Sequence, residues 1–407
     1  MQSMYIPRAI EQSVLEASEH FPVVAVTGPR QVGKTTMLRR LSAAVRSYAT
    51  LGDPEVRELA KRDPGLLLQR LGTPCFIDEI QHAPELLPAI KMHVDASGER
   101  GACWLAGSQD FPRMKGLEES LAGRIGIFRM LGLSGSERAG IPTEPFTAER
   151  ASLQRRAAAP ASGRDLFAAI WRGSLPELHA NPELQPSTLF ASFVDAYIRH
   201  DVRSILDVKD ETVFYRFLKA AAERVATPLV YEDMAGEVGV SAPTVKKWVS
   251  LLCVSGIALL LHPYGEPMLK GTAKAPVLYF FDTGLAAYLA QGPTPETLEA
   301  GAMSQQIFRN YVVAEICKSW MHSGKVPPVY CYRDRYGRKI DVLIHVNGEM
   351  HPVAVQASPS PGKDAVRDFK VLNKLSIWRR GQGGVVCLAQ ECAPLDDQDA
   401  IIPAWLI

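Results

Sequence analysis

The first third of the chain shows short apolar runs that alternate with stretches of helical periodicity, from Phe21 to about Leu133. A strand of a parallel sheet is typically a short apolar run, because helices cover both faces of the sheet and bury its side chains. The alternation therefore predicts an α/β fold with a parallel sheet flanked by helices. Five strands are expected, at Val23 to Thr27, Ser47 to Leu51, Cys75 to Ile77, Cys103 to Ala106 and Gly126 to Leu131.

The pattern changes in the middle of the chain. Between about Gly140 and Gly163 the composition shifts to Ala, Pro, Arg and Ser, which predicts a linker or an exposed helical arm. From about Leu166 to Leu289 the periodicity is mainly helical, and this block ends in two β-rich runs, Ile257 to His262 and Val277 to Phe281.

A third block begins at about Ser304. A helix from Gln305 to His322 precedes four expected strands, at Val329 to Tyr332, Ile340 to Val346, Val353 to Ala357 and Gly384 to Ala389. The predicted domains are therefore residues 1–139, 166–292 and 303–407, with residues 140–165 as the linker.

Composition agrees with a multidomain globular protein. The 407 residues are 47% apolar and 22% charged, and their formal net charge is +1, so the whole chain offers no general attraction to nucleic acid or acidic membranes. Seven cysteines without a CxxC pair favour buried free thiols in a reducing, cytoplasmic compartment. The longest apolar run, Val249 to Leu261, is too short to span a bilayer, so no membrane insertion is expected.

One motif carries specific chemistry. GPRQVGKTT fits the phosphate-binding pattern G-x-x-x-x-G-K-[ST] and lies between an apolar run and a helical stretch, the context that this motif requires. Lys34 is expected to neutralise the β- and γ-phosphates of ATP, and the Thr35 hydroxyl to bind Mg²⁺. The alternative is a glycine-containing loop that binds nothing. The expected nucleotide-binding residues are Gly28, Pro29, Arg30, Gln31, Val32, Gly33, Lys34, Thr35 and Thr36.

An acid pair follows the third expected strand, in CFIDE. Asp78 is expected to hold the magnesium ion, and Glu79 to orient and deprotonate the attacking water. The next strand, WLAGSQ, ends in Ser108 and Gln109, whose polar side chains can sense the γ-phosphate, although ordinary turn chemistry explains them about as well. Arg124, just before the last strand, is a candidate for stabilising phosphoryl charge in the transition state.

Five segments of the chain together resemble a prokaryotic AAA-type ATPase family related to the STAND group of signal-transducing ATPases. These segments are GPRQVGKTT, GDPEVRELAKRDP, FIDEIQHAPELLPAIKMHVD, LAGSQDF and ESLAGRI. The resemblance runs from about Tyr5 to about Leu372, and it implies a winged-helix region and a restriction-nuclease-like terminal domain. It implies that Arg124 acts on the ATP of a neighbouring subunit, hence a homo-oligomer. It also implies that Pro176, in WRGSLPEL, packs against adenine, although Ser174 replaces a usual glycine.

The region EDMAGEVGVSAPTVKKWVSLL carries two helical stretches separated by a turn at Gly239, a spacing that suits a helix-turn-helix. The exposed candidates for DNA contact are Lys246, Lys247 and Trp248. The other interpretation, which the low net charge favours, is that a winged helix here serves as a lid or docking surface.

The terminal block resembles the PD-(D/E)xK nuclease fold through Glu315 and Asp341, but it has Ala354 and Gln356 where an active member has Glu and Lys. Two-metal cleavage needs carboxylates to hold the cations and usually a lysine to activate water, so nuclease activity is not expected. The alternative is that a migrated carboxylate, Glu349, which is expected near a turn, replaces the missing one. The leading hypothesis is therefore an ATP-driven switch, with Mg²⁺ as cofactor, acting on an unknown protein partner. The alternative is an ATP-dependent DNA-binding protein that acts through the winged helix.

Overall fold

The computed structural model describes residues 5–42, 45–108, 121–156, 163–202, 210–264, 275–374 and 379–407. The chain divides into two compact units. The first comprises Met1–Leu133 with two short later segments, Val254–Gly256 and Met321–Lys325, and the second comprises the rest.

The first unit is built on a five-stranded sheet in which every neighbouring pair of strands is parallel. The strands are β1 Val23–Thr27, β2 Ser47–Thr50, β3 Cys75–Asp78, β4 Cys103–Gly107 and β5 Ile125–Arg129, in the spatial order β2-β3-β4-β1-β5. These bounds agree with the expected strands to within two residues, so the predicted α/β fold with a parallel sheet is confirmed. All five residues of β1 are buried, as the position of β1 between β4 and β5 requires.

The described residues of this unit form five α-helices: α1 Ile10–His20, α2 Lys34–Ser42, α3 Pro54–Arg62, α4 Pro64–Leu71 and α5 Leu86–Ser97. Helix α3 begins where its sequence favours it, because the Asp53 carboxylate accepts a hydrogen bond from Glu55 N (2.8 Å) and Pro54 occupies the first helical position. The core between strands and helices includes Ile77, Leu105 and Ile90, each fully buried.

The second unit begins with helices and a small antiparallel sheet. Its first part has helices Gly135–Ala139, Arg150–Arg155, Gly163–Arg172, Pro176–Ala180, Pro186–Ala196, Glu211–Glu223, Tyr231–Val238, Ala242–Val254, Thr283–Leu289 and Pro295–Ala300, with a π-helical turn at Tyr197–Val202. The strands β6 Ala258–Leu261 and β7 Val277–Phe280 pair antiparallel. The predicted linker therefore contains a helix, Arg150–Arg155.

The expected helix-turn-helix elements are present, and Gly239 joins them with φ 81°, a left-handed conformation that glycine adopts without strain. Trp248, however, was wrongly expected to be exposed. It is only 7% exposed, and its ring lies edge-on to Phe214 and Phe217 at centroid distances of 5.1 and 5.2 Å. Lys246 and Lys247 are exposed, and whether this region is a winged helix stays a prediction.

The rest of the second unit is a seven-stranded mixed sheet preceded by a long helix, Ser304–Met321. Its strands are β8 Val329–Arg333, β9 Lys339–Val346, β10 Glu349–Val355, β11 Arg379–Arg380, β12 Gly383–Cys387, β13 Ala393–Pro394 and β14 Asp399–Pro403. The main path is β13-β14-β12-β10-β9-β8, and β11 pairs with β10. The four expected strands correspond to β8, β9, β10 and β12, whereas β11, β13 and β14 were not anticipated.

All seven cysteines are free thiols. Five are buried, as expected, but Cys253 is half-buried and Cys392 is exposed. Within the ranges that the structure describes, no helix is both long and apolar enough to cross a membrane.

Candidate active site

A tight loop leaves the carboxyl end of β1 and leads directly into α2. Gly28 has φ 144° and Gly33 has φ 93°, both in the region that favours glycine. A Cβ atom at Gly28 would lie 1.9 Å from the carbonyl oxygen of Met130, so no other residue fits this position. The loop therefore presents its backbone at the amino end of α2, where helix N–H groups favour an anion.

Lys34 lies inside this loop. Its side chain is only 8% exposed, and its ammonium group donates hydrogen bonds to the carbonyl oxygens of Gly28 (2.8 Å) and Pro29 (2.7 Å). A nearly buried ammonium group held by neutral carbonyl acceptors is a strong site for an anionic ligand, because little water screens the charge.

Thr35 and Asp78 meet at the same edge of the sheet. The Thr35 hydroxyl donates to the Asp78 carboxylate at 2.8 Å, and Asp78 is 5% exposed. Burial raises the pKa of Asp78 from its ordinary value, and the Thr35 hydrogen bond opposes that effect. A hydroxyl and a carboxylate brought together beside a phosphate-binding loop are the hard oxygen ligands that Mg²⁺ prefers, so these two residues fit the expected ion.

Glu79 and Ser108 are connected through a residue that sequence reasoning missed. The Gln81 side-chain amide nitrogen donates hydrogen bonds both to the Glu79 carboxylate and to the Ser108 hydroxyl, the latter at 3.1 Å. Glu79 itself has φ 56°, which is unusual for a residue other than glycine. The only signal in the sequence was a polar side chain two residues after the acid pair.

Arg8 is a second residue that was missed. Its guanidinium donates to the carbonyl oxygens of Val32, in the loop, and Leu131, just after β5, both at 2.7 Å. The side chain is buried, with 5% exposure, so this arginine ties the loop to the neighbouring strand end. An isolated arginine before the first helix gave no sequence signal for that role.

Arg124 is not brought to the phosphate-binding loop within the chain. It precedes β5, whose first residue, Ile125, pairs with Val23, and it therefore lies at the sheet edge opposite the loop. There it forms an exposed ion pair with Asp95 and holds the pKa of that carboxyl below its usual value. Only an action on a neighbouring subunit remains open for Arg124.

The roles of two other expected site residues, Gln109 and Pro176, stay predictions. Gln109 lies outside the described residues. Pro176 begins a short helix in the second unit, and its contact with adenine stays a prediction. Just before it, the backbone N–H and the hydroxyl of Ser174 donate to Asp282 at 2.9 and 2.7 Å, so the serine anchors this turn.

The two nuclease-like carboxylates are each engaged by a cation. Glu315 pairs with buried Lys318 at 3.0 Å and accepts a hydrogen bond from Gly135 N at 2.6 Å. Burial alone would raise the pKa of Glu315, but these partners outweigh it and lower the pKa. Asp341 pairs with Arg309 at 3.1 Å and accepts a hydrogen bond from the backbone N–H of Val355 at 2.9 Å.

Glu349, the expected substitute for the carboxylate missing at position 354, is itself paired with a cation. It is the first residue of β10, immediately after a turn, and its carboxylate pairs with Arg379 at 3.3 Å. Across the described part of the chain, no group of three or more His, Cys, Asp or Glu side chains is arranged to hold a metal ion.

Three family models match successive parts of the chain. Residues 20–139 match a model described as an AAA domain, residues 163–296 match a domain of unknown function (DUF8612), and residues 305–407 match another domain of unknown function (DUF4143). With the geometry above, the first match supports an AAA-type P-loop ATPase domain. The other two models do not establish a winged helix or a nuclease-like fold.

Relatives that resemble most of the chain include two mycobacterial proteins. The uncharacterized protein Mb2031c of Mycobacterium bovis and the uncharacterized protein Rv2008c of Mycobacterium tuberculosis are each 24% identical over 398 residues, which is 94% of this chain and 80% of each relative.

Similar solved structures are more distant. The Walker-type ATPase PABY2304 of Pyrococcus abyssi has 12% identity and a TM-score of 0.39, and the match covers 69% of this chain and 94% of that one. A STAND protein of Pyrococcus horikoshii, PH0952, has 10% identity and a TM-score of 0.23, over 79% of this chain and 48% of that one. Likenesses this low carry no weight for function, which depends on the residues themselves.

Proposed function

We propose that the chain binds and hydrolyses ATP and that the state of the nucleotide controls the binding of a protein partner by its later domains. The observation that supports hydrolysis best is the convergence of Lys34, Thr35 and Asp78 where β1 and β3 end. A triphosphate bound there would meet the ammonium group, the loop backbone and the amino end of α2 together.

Each residue has a distinct task in this proposal. Lys34 exchanges its carbonyl acceptors for β- and γ-phosphate oxygens. Thr35 and Asp78 would hold Mg²⁺, which would neutralise charge on the triphosphate when bound. Glu79 orients a water molecule toward the γ-phosphorus and accepts its proton as the bond to the ADP oxygen breaks.

Two substitutions test the catalytic proposal. Lys34→Ala should abolish ATP binding measured by calorimetry, because Lys34 is the one lysine of the loop Gly28–Thr36 and its ammonium group is nearly buried. Glu79→Gln should keep nucleotide binding and lower phosphate release by at least about a hundredfold, because an amide cannot accept the proton. The exposed residues Lys61 and Glu58 supply the matched controls Lys61→Ala and Glu58→Gln, which should behave as wild type. Wild-type turnover in both test variants would refute the proposal.

The segment Val254–Gly256 supports coupling between the nucleotide and the rest of the chain. It clusters with the first unit, and the Val254 carbonyl accepts a hydrogen bond from Arg129 at 3.4 Å. A Cβ atom at Gly256 would lie 2.9 Å from Pro29 Cδ in the phosphate-binding loop. A shift of that loop on binding ATP would therefore move a segment that directly continues the helix Ala242–Val254.

Gly256→Ala tests this coupling against a matched glycine. Gly256 has φ 73° and Gly98 has φ 64°, so both alanine variants carry similar backbone strain, but an added Cβ at Gly98 meets nothing within 4 Å. Gly256→Ala should weaken ATP binding, whereas Gly98→Ala should lower only thermal stability. Equal ATP affinity in the two variants would contradict a role for the contact with Pro29.

We further propose that Arg124 acts across a subunit interface of a homo-oligomer. Arg124→Ala should abolish turnover while keeping ATP bound, as should Glu79→Gln. A mixture of these two inactive variants should recover activity, because some sites then combine an intact Glu79 with a neighbour's intact Arg124. If the mixture shows no ATPase activity although a slowly hydrolysed ATP analogue assembles the protein into oligomers, Arg124 does not have this role.

A further inference from the structure

A hairpin turn connects β8 and β9 in the second sheet. We name residues 333–339, RDRYGRK, the hairpin tip. The Asp334 carboxylate accepts hydrogen bonds from the backbone N–H groups of Tyr336 (2.8 Å) and Arg338 (3.1 Å), and from Arg338 Nε (2.6 Å). Asp334 therefore stabilises the turn through these hydrogen bonds. The Tyr336 side chain, within the turn, is 68% exposed.

The hairpin tip concentrates positive charge in a chain that is otherwise almost neutral. Four cations (Arg333, Arg335, Arg338 and Lys339) and one acid (Asp334) give the seven residues a net charge of +3, against +1 for all 407. Arg338 pairs with Asp334, whereas Arg333, Arg335 and Lys339 form no ion pair with a carboxylate of the described residues.

Two of these cations face each other directly. Arg333 on β8 is the cross-strand partner of Lys339 on β9. Like charges at directly opposite positions of an antiparallel pair destabilise it. A position that lowers stability in this way is consistent with an anionic ligand that lies across both side chains.

The cationic surface continues onto a neighbouring element. The backbone N–H of Lys339 donates to the Asp368 carboxylate at 3.0 Å, which places the 3₁₀ segment Lys363–Lys374 beside the hairpin tip. Arg367 and Lys370 are exposed on that segment; the Arg367 side chain is 75% exposed and forms a 3.8 Å ion pair with Asp368. The positive surface is therefore longer than one turn.

Tyr336 gives this surface a planar aromatic group. The guanidinium carbons of Arg335 and Arg338 lie 4.9 and 5.3 Å from the centre of its ring, and Arg335 Nη2 donates to its hydroxyl at 2.7 Å. An aromatic ring that is 68% exposed and has arginines beside it is suited to stack on a base while the cations contact phosphates.

We propose that the hairpin tip, with Arg367 and Lys370, binds single-stranded nucleic acid through its phosphates and one base stacked on Tyr336. Only an unpaired base can stack on an exposed ring, so a single strand fits better than a duplex. An anionic membrane fits less well, because Tyr336 is the only large exposed hydrophobic side chain on this surface in the described ranges. The proposal does not depend on ATP hydrolysis.

The test measures fluorescence anisotropy of a labelled oligothymidylate with the full chain, without nucleotide, at about 50 and about 200 mM salt. Wild type should bind, with an affinity that falls steeply as salt rises. Arg335→Ala with Lys339→Ala should lower the slope of log affinity against log salt by about 1.4, because each phosphate contact on a single strand contributes about 0.7. Tyr336→Ala should weaken binding about tenfold and remove most of the preference over a matched duplex.

A charge-matched control separates this surface from the helix-turn-helix region. Lys246→Ala with Lys247→Ala removes two exposed cations elsewhere and should change affinity less than about twofold. Lys339→Ala should not lower the melting temperature, because it removes a like-charge contact. The proposal is overturned if wild type binds phosphatidylserine vesicles but no oligonucleotide, if the control pair abolishes binding, or if the hairpin variants bind as wild type does.

Discussion

Gln81→Met removes the link between Glu79 and Ser108 while keeping the length and approximate volume of the side chain. In the native protein the Gln81 amide nitrogen donates to both residues, whereas its carbonyl oxygen is buried and has no donor among the described residues. The substitution therefore deletes two useful hydrogen bonds and one unsatisfied acceptor together. We expect catalysis to suffer and stability to remain.

The size of each effect follows from these contacts. A hydrogen bond to a charged group contributes about 1.5–3 kcal/mol, and about 1.4 kcal/mol corresponds to tenfold in rate. If this bond orients Glu79 for proton transfer, kcat should fall about 10- to 100-fold. The buried acceptor costs about 1–3 kcal/mol in the native state, so its removal offsets most of the lost bonding. The melting temperature should then stay within about 3 °C of wild type.

Three measurements test this prediction for Gln81→Met. Phosphate release at saturating ATP gives kcat, calorimetry with a slowly hydrolysed analogue gives nucleotide affinity, and thermal melting gives stability. Gln81→Glu is the informative companion, because it keeps the shape but places a second carboxylate against Glu79, and its kcat should fall at least as far. Unchanged kcat in Gln81→Met would refute the positioning role. A loss of analogue binding with normal kcat would equally contradict it.

Substitutions at three other sites probe the loop, its anchor and a half-buried histidine. Arg8→Met leaves two carbonyl oxygens without their charged donor, so ATP affinity measured by calorimetry should fall at least about tenfold. The ATP affinity of Arg8→Lys should lie between those of wild type and Arg8→Met, because lysine can donate to one of the two carbonyls. Gly28→Ala should abolish ATP binding, whereas Gly72→Ala, which also has positive φ but an open surrounding, should bind normally. Burial lowers the pKa of His179 to about 4 in the folded protein, whereas its pKa in the unfolded chain is about 6.5. Between these two pH values only the unfolded chain binds the proton, so the free energy of unfolding falls as the pH decreases below about 6.5. His179→Gln should reduce the loss of stability between pH 7 and pH 5 by about 1 kcal/mol, allowing for partial exposure, and denaturant unfolding at both pH values measures it.

The parallel sheet and its loop were predictable because their signals are local. A fully buried strand such as β1 requires an unbroken apolar run, and the phosphate-binding loop requires glycine and lysine at fixed spacing. Gln81 was not predictable, because its role depends on Ser108, which follows a different strand and comes close only when the sheet forms. The same reason explains why Arg8 gave no signal.

Errors in the second unit have equally physical causes. The burial of Trp248 depends on Phe214 and Phe217, more than thirty positions earlier, so helix periodicity alone could not show which face of its helix is covered. Strands β11 and β13 have two residues each, too few for any alternation to be visible. Strand β14 is longer, but it begins with Asp399 and ends with Pro403, which disguise its apolar centre.

In the terminal domain, the two carboxylates expected from the nuclease resemblance are paired with cations, whereas three cations of the hairpin tip have no carboxylate partner among the described residues. Arg309 already neutralises Asp341, so a divalent metal would have to displace a guanidinium from a pair whose side chains are 12% and 10% exposed. Lys339 lies two residues from Asp341, on the same strand, and forms no ion pair with a carboxylate of the described chain. Two carboxylates of this domain are thus neutralised, while cations of the hairpin tip that could contact a phosphate backbone are not. On the proposal above, the hairpin tip, rather than the carboxylates, is the place where a function of the domain should be sought.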